Sequence, residues 1–368
     1  MMIRDEVHGT IEFSELEGRV IDSSCFQRLR RIKQMSITNL VYPCANHTRF
    51  EHSLGTAHLS GVIAERTGLE EEDSAKVRLY GLLHDIGHGA FSHEGEDVIG
   101  KYTGGHEAVG RRRICKGEIA EIISENYHPK EIADIEKSRY GSIITSDLGS
   151  DRMDYLKRDA LNTGVAYGII DIDRIVHTLT MENEGLCITK GGLEAAEYLL
   201  IARFMMFSAV YLHKTVRIAT AMLYRAMEGA IEDGVVEPKD FSEIDDDAAF
   251  TVMLRSKKGK SYAEALLKRK LYKEVFSLPK EGWSIKKAEE QSKKISQKLG
   301  KDIIIDYPRG FFKPISLKVK TDEGIRQITS LSRLVHSLRE SEEERLKVLV
   351  LADEKTRENS GDKIRGLF

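Results

Sequence analysis

Apolar residues over the first 230 or so positions recur at three- and four-residue spacing, the period at which side chains share one face of a helix. Val77, Leu79, Tyr80, Leu82 and Leu83 make one such stripe, and Leu193, Ala196, Leu199, Leu200 and Phe204 make another. Both are read as core, because a helix with one apolar face is stabilised by burying it. Proline is scarce here, and glycines punctuate the region at Gly87, Gly89, Gly104, Gly105, Gly164 and Gly168, where turns or close backbone approaches are predicted. Beyond about Asp233 the pattern changes. An acidic stretch from Glu243 to Asp247 precedes Lys-rich amphipathic segments at Lys257 to Lys273 and Lys286 to Lys298, whose charges read as solvated faces. Short β-type runs follow at Ile303 to Ile305, Ile315 to Val319 and Val348 to Leu351, with a turn at Thr321 to Gly324 and a helical stretch at Leu331 to Leu338. The closing segment, Asp353 to Phe368, is polar and is predicted to fray at its end. The expectation is a mainly α protein, with residues 1–232 as a helical core domain and residues 233–368 as a smaller helical and α+β lobe that regulates or oligomerises.

Composition narrows the classes. A chain of 368 residues exceeds one ordinary core and falls short of three. With 41% hydrophobic and 31% charged residues it can bury a sizeable interior under a solvated surface. Cys25, Cys44, Cys115 and Cys187 are scattered without a CxxC pair, which argues against a disulfide scaffold or a thiolate zinc site and fits a reducing, cytoplasmic setting. There is no apolar run of about 18 residues to span a bilayer and no signal peptide in MMIRDEVHGT, so a soluble protein without a membrane partner is expected. A formal net charge of −3 supplies no field for a polyanion, so nucleic acid is not an expected partner. Any phosphate ligand must meet a local basic cluster.

The chemistry concentrates in histidine. Of the 12 histidines, His47, His52, His58, His84, His88, His93 and His106 fall within one short stretch. Neutral imidazole is the commonest transition-metal ligand, and a neighbouring carboxylate adds an oxygen donor and offsets the ion's charge. His84 and Asp85 stand side by side at the end of an apolar helix and run into Ile86-Gly87-His88-Gly89, while His52 lies in RFEHSLG and Asp151 in GSDRMDYL. Two imidazoles and two carboxylates from three segments form a candidate site for one divalent metal, with manganese, iron, zinc, nickel and magnesium left open. Such an ion polarises a phosphoryl oxygen and lowers the pKa of a water, the functions that phosphate ester or anhydride hydrolysis needs.

The motifs EVHGTIEF, FQRLRRIKQM, HTRFEHSLG, GLLHDIGHGAFSH, GHE, SDRMDYLKRDALNTG and VYLHKTV, in this order, resemble the HD-domain deoxynucleoside triphosphate triphosphohydrolases, a family that includes animal sterile-alpha-motif/HD-domain enzymes and bacterial dGTPases. The likeness runs from about Asp5 to Val216, and it implies an HD-domain helical core followed by the smaller lobe; the sterile-alpha-motif domain is absent. The resemblance makes His52, His84, Asp85 and Asp151 the metal ligands. It places Arg49, His88, His93, Arg152 and Arg203 on the phosphates, some with an additional magnesium accompanying the nucleotide. It makes His106 the acid at the leaving 5′ oxygen, with His93 beside it and Glu96 at a position where the family has an aspartate. It gives sugar recognition to Gln34, Met35, Tyr155, Asp159 and Tyr211. Products would be deoxynucleoside and inorganic triphosphate.

In the animal relatives a guanine nucleotide binds between subunits and switches assembly. Asp22, Gln27 and Arg30 match that guanine pocket, and Arg174, Lys190 and Lys214 match a second nucleotide site, while Met1 stands where a lysine helps hold the nucleotide. The resemblance thus implies a GTP or dNTP activator and a homodimer or homotetramer. Two other functions stay open on sequence: an HD-type nucleotidase or phosphodiesterase with another nucleotide substrate, and a nucleotide-sensing protein without turnover.

Overall fold

The computed structural model describes residues 1–309 and 314–368. Among these residues the chain is mainly helical, with nine strands: β1 (Met2–Asp5), β2 (Gly9–Glu12), β3 (Leu179–Glu182), β4 (Gly185–Thr189), β5 (Lys273–Pro279), β6 (Ile303–Asp306), β7 (Lys318–Thr321), β8 (Gly324–Gln327) and β9 (Lys347–Ala352). It divides into two compact units. The first comprises Met1–Met206, Glu237–Ala249 and Ile315–Leu338; the second comprises Phe207–Val236, Phe250–Pro314 and Arg339–Phe368.

The first unit is built on three helices that approach closely because small residues line the contacts. The Arg49–Arg66 helix starts at a capping pair in which Glu51 accepts the Thr48 backbone N–H at 2.9 Å. It packs on the Glu71–Leu83 helix, whose predicted stripe Val77, Leu79, Tyr80, Leu82 and Leu83 is buried. A Cβ on Gly81 would lie 2.4 Å from Ser60 Oγ, so this crossing needs glycine. The Ser150–Thr163 helix meets the same Arg49–Arg66 helix, with Ser60 and Ser150 hydroxyls 2.7 Å apart. The second predicted stripe lies on the Leu193–Met206 helix, where Ala196, Leu199, Leu200 and Phe204 are buried.

The stretch read as largely helical also contains two hairpins, β1–β2 and β3–β4, both antiparallel. Strands of four or five residues are too short for a periodic signal, and β4 is buried almost throughout, so it lacks alternation. The turn expected at Thr321 to Gly324 joins β7 to β8, and these strands complete a sheet of order β3-β4-β7-β8 in which β4 and β7 run parallel. The β-type runs of the expected C-terminal lobe are therefore shared: β7 belongs to the first unit, whereas β6 and β9 belong to the second.

The second unit holds a sheet of order β5-β9-β6, antiparallel throughout. Val348, Val350 and Ala352 from β9 and Ile303 and Ile305 from β6 pack with Ala288 and Ile295 of the Ile285–Leu299 helix and with Ile364. Ile364 belongs to a terminal helix, Glu354–Arg365, where fraying was expected. Asp353 accepts the Thr356 N–H at 3.0 Å as its cap, and buried Ile364 anchors its far end. No single helix among the described residues is long and apolar enough to cross a membrane.

Candidate functional site

The four expected metal ligands sit where the three packed helices of the first unit begin or end. His52 is in the first turn of Arg49–Arg66, Asp151 is in the first turn of Ser150–Thr163, and His84 follows Leu83 directly with Asp85 beside it. His84 Nδ1 bonds the Gly81 carbonyl at 2.8 Å, which orients the ring and leaves Nε2 buried without a hydrogen-bond partner. His52 Nε2 lies 3.0 Å from Asp151 Oδ1 and 3.6 Å from Asp85 Oδ2, while His84 Nε2 lies 3.4 Å from Asp85 Oδ1 and 3.7 Å from Asp151 Oδ1. Ligands held about 2.1 Å from one ion stand about 3.0–3.4 Å apart, so His52, His84 and Asp85 could hold a divalent cation, with Asp151 Oδ1, 3.0 and 3.7 Å from the two imidazoles, closing on it as a fourth donor. The charge of the site says the same. Burial opposes a charged His52, yet hydrogen bonds with Asp151 and Asp154 push its pKa up to about 10. Asp154 at one ring nitrogen and Asp151 at the other favour positive charge at this point.

A second cluster adjoins the first through Asp85, whose Oδ1 lies 3.4 Å from His88 Nε2. His88 stacks on His106 with ring centroids 4.0 Å apart, and His93 meets both edge-on. Glu96 reaches this group despite replacing the family's shorter aspartate: Oε2 lies 2.7 Å from His106 Nδ1, and Oε1 accepts the His106 backbone N–H at 2.8 Å. Burial works against charge on His106, but the hydrogen bond and the charge of Glu96 outweigh it and raise the His106 pKa above the ordinary value. Burial also opposes charge on Glu96, yet its bonds to His106 and His93 hold it well below the carboxylate range. His88 is pushed the other way, by burial first and then by Arg49 and His106, and stays neutral.

The Ile86 to His88 strap between the clusters is pinned by residues the sequence did not single out. Arg113 donates to the Ile86 carbonyl at 2.6 Å, and Arg28 donates to the His88 carbonyl at 2.6 Å. Buried Asp246 accepts the Phe91 and Lys33 backbone N–H groups at 2.8 and 3.0 Å, holding Phe91 in a left-handed conformation at φ 63°. No spacing rule links positions so far apart. Gly87 is required for a different reason: a Cβ there would lie 2.0 Å from the His106 carbonyl oxygen and 2.4 Å from Gly110 N, both backbone atoms. Gly87→Ala is expected to cost about 1–3 kcal/mol of stability by overpacking, read from the denaturant midpoint, and to lower any turnover by moving Asp85 relative to His106.

Arg49 is buried, donates to Asp85 Oδ2 and, at 2.8 Å, to Ser92 Oγ, and retains a buried Nη2 without a hydrogen-bond partner. Arg152 pairs with buried Asp147. Tyr155 is half-buried, and burial first, with the charges of Asp151 and Asp159, raises its hydroxyl pKa against the opposing charges of Arg152 and Arg203. Asp159 lies 2.7 Å from His47 Nε2. Met35 is buried, and Gln34 has a buried Oε1 without a hydrogen-bond partner.

The residues expected at activator sites lie elsewhere on the chain. Arg30 donates to Gln27 Oε1 at 2.8 Å and stacks on Phe50 at 3.5 Å, and Asp22 is exposed. Arg174 donates to the Gly191 carbonyl at 2.6 Å beside exposed Lys190. Lys214 and Tyr211, the latter expected at the sugar, belong to the second unit: Tyr211 meets Phe207 edge-on at 5.0 Å, and Lys214 lies 3.1 Å from Glu274. Within that unit a cavity of about 270 Å³ is lined by Lys214, Arg269, Tyr272, Lys273, Glu274 and Arg357 among others.

Fold and site together define an HD-type phosphohydrolase with a candidate centre for a divalent metal. Residues 49–159 match the HD domain family, and residues 170–368 match the HD associated region. The chain belongs to the HD-domain family that carries this associated region and that is related to the deoxynucleoside triphosphate triphosphohydrolases. It is 39% identical to an uncharacterised protein of Methanocaldococcus jannaschii, over 93% of this chain and 76% of the relative. It is 28% identical to the deoxynucleoside triphosphate triphosphohydrolase SAMHD1 homolog of Dictyostelium discoideum, over 83% of this chain and 66% of the relative. Among solved structures, a hypothetical protein from Aquifex aeolicus aligns with a TM-score of 0.82 and 32% identity, over 100% of this chain and 99% of that one. A phosphohydrolase from Bacteroides thetaiotaomicron aligns with a TM-score of 0.76 and 26% identity, over 96% and 100%.

Proposed function

We propose that this protein hydrolyses deoxynucleoside triphosphates to deoxynucleoside and inorganic triphosphate. The observation that carries the reading is the junction of the two clusters, where His52, His84, Asp85 and Asp151 could hold a metal and His106, backed by Glu96, stands on the other side of His88. The similarity to the Dictyostelium deoxynucleoside triphosphate triphosphohydrolase supports the substrate class.

In this reading the buried Nη2 of Arg49, with His88, His93, Arg152 and Arg203, binds phosphate oxygens, which guanidinium groups do through charge-assisted hydrogen bonds. An ion held by His52, His84, Asp85 and Asp151 would supply Lewis acidity toward a phosphoryl oxygen and a water. The water oxygen bonds to the α-phosphorus and the bond to the 5′ oxygen breaks. His106 gives its proton to that oxygen, and Glu96 stabilises the protonated imidazole beforehand. Gln34, Met35, Tyr155 and Asp159 contact the sugar. Of the residues matched to a GTP or dNTP activator, Lys214 lines the cavity of the second unit.

Incubation with each deoxynucleotide and ribonucleotide triphosphate and manganese, with the released phosphates resolved by chain length, tests the proposal. Intact triphosphate from the deoxynucleotides is the expected product. Orthophosphate or pyrophosphate as the first product, or turnover confined to other nucleotides, would replace this reading with a nucleotidase or phosphodiesterase.

A further inference from the structure

The β1–β2 hairpin lies at the start of the chain, yet two of its residues end in the charge network beneath His52. Asp154 is fully buried and accepts from four donors. Its Oδ2 lies 2.7 Å from His52 Nδ1 and 2.9 Å from Arg158 Nε, while its Oδ1 lies 2.7 Å from His8 Nε2 and 2.8 Å from Arg158 Nη2. Arg158, also fully buried, turns its remaining Nη1 to Asp5 Oδ2 at 2.9 Å. The same Asp5 shapes the hairpin turn, because its Oδ1 accepts the backbone N–H groups of Val7 and His8 at 2.9 and 2.8 Å. One side chain therefore both aims His8 and fixes Arg158. The helices leave room for this network at one point only by omitting a side chain: a Cβ on Gly55 would lie 1.9 Å from Asp154 Oδ1 and 2.5 Å from Arg158 Nη2.

An ionised carboxylate only accepts hydrogen bonds, so Asp154, held by Arg158, obliges His52 to present Nδ1–H to it. The ring's other nitrogen, Nε2, then faces Asp151 and Asp85 and is the one left to meet an ion. Buried groups this constrained have few alternatives, because breaking any one contact leaves an uncompensated polar atom away from water.

We propose that the N-terminal hairpin is a working part of the metal centre: His8 and Asp5, acting through Asp154 and Arg158, hold the His52 imidazole in its ligating orientation. They are positioning residues and touch neither metal nor substrate. The inference rests on the reading of His52 as a ligand.

The test measures metal rather than turnover. The protein, stripped and reloaded with cobalt or manganese, is titrated against a chromophoric chelator, and the visible spectrum of the cobalt form is recorded. His8→Ala and Asp5→Asn are expected to weaken metal affinity about ten- to hundredfold and to alter the cobalt spectrum, the range typical for partners that orient a ligating histidine. His8→Gln, whose amide can still donate to Asp154, should recover most of the loss. If folded His8→Ala, with an unchanged far-ultraviolet spectrum, binds metal within twofold of the parent, or if His8→Gln is as weak as His8→Ala, the hairpin plays no such part. His52→Ala separates the premises. Full metal affinity in that variant overturns the ligand assignment itself, whereas lost affinity there with parent affinity in His8→Ala overturns only the hairpin.

Discussion

Asp151→Ala is expected to emerge from purification folded, depleted of metal and without measurable turnover. Asp151 Oδ1 is the oxygen that faces both imidazoles, at 3.0 Å from His52 Nε2 and 3.7 Å from His84 Nε2. Alanine leaves two nitrogens and Asp85, and Asp85 is already engaged with Arg49. Three donors with one carboxylate partly neutralised bind a divalent ion far less firmly. The fold should persist because Asp151 is half-exposed in the first turn of a helix, where losing an acid costs about 0.3–1 kcal/mol. Losing the ion's several kcal/mol of charge stabilisation corresponds to at least a thousandfold fall in turnover, roughly. Elemental analysis of the desalted protein and the triphosphate-release assay read the two effects together. A variant with parent-level metal and parent-level turnover would show that the ion does not sit among these four side chains.

Much of this geometry could be anticipated from the chain because it is local. His84 and Asp85 terminate an apolar helix, so their backbone position follows from the stripe Val77 to Leu83, and Glu51 three residues after Thr48 marks the helix start that carries His52. Asp151, in GSDRMDYL, was read into the same candidate site by its chemistry, and the resemblance assigned it as a ligand. What escaped was long-range and polar. Arg28, Arg113, Asp154, Asp246, Asp5 and His8 act through contacts between distant positions, and all but Asp154 lack a spacing signature for them. Asp154 carried a faint one: three residues after Asp151 and four before Arg158, it shares their helix neighbourhood, yet a charged residue at such spacing is ordinarily solvated. The hairpins were missed because strands of four residues cannot display a period, and β5 because it follows directly on a Lys-rich helical segment.

His106→Ala separates binding from chemistry and should behave unlike Asp151→Ala: metal content stays at the parent level while kcat falls about a hundred- to ten-thousandfold, the range typical of a lost general acid. The companion Glu96→Gln gives the sign. Glu96 raises the His106 pKa above the ordinary histidine value of about 6.5, so in the parent the protonated, active acid persists below that raised pKa and is lost as pH climbs through it. Glutamine removes the charge and leaves burial and Arg49, which lower the pKa, opposed mainly by the more weakly acting Asp85. The alkaline limb of the kcat profile should therefore shift to lower pH, with the plateau on its acid side less affected. The amide can still accept one hydrogen bond from His106, so the ring stays near its place and the shift reports charge rather than collapse. Parent-rate turnover in His106→Ala, or an alkaline limb in Glu96→Gln that stays where it was, would remove His106 from the proton transfer and leave His88 or His93, its stacked and edge-on neighbours, as the groups to substitute next.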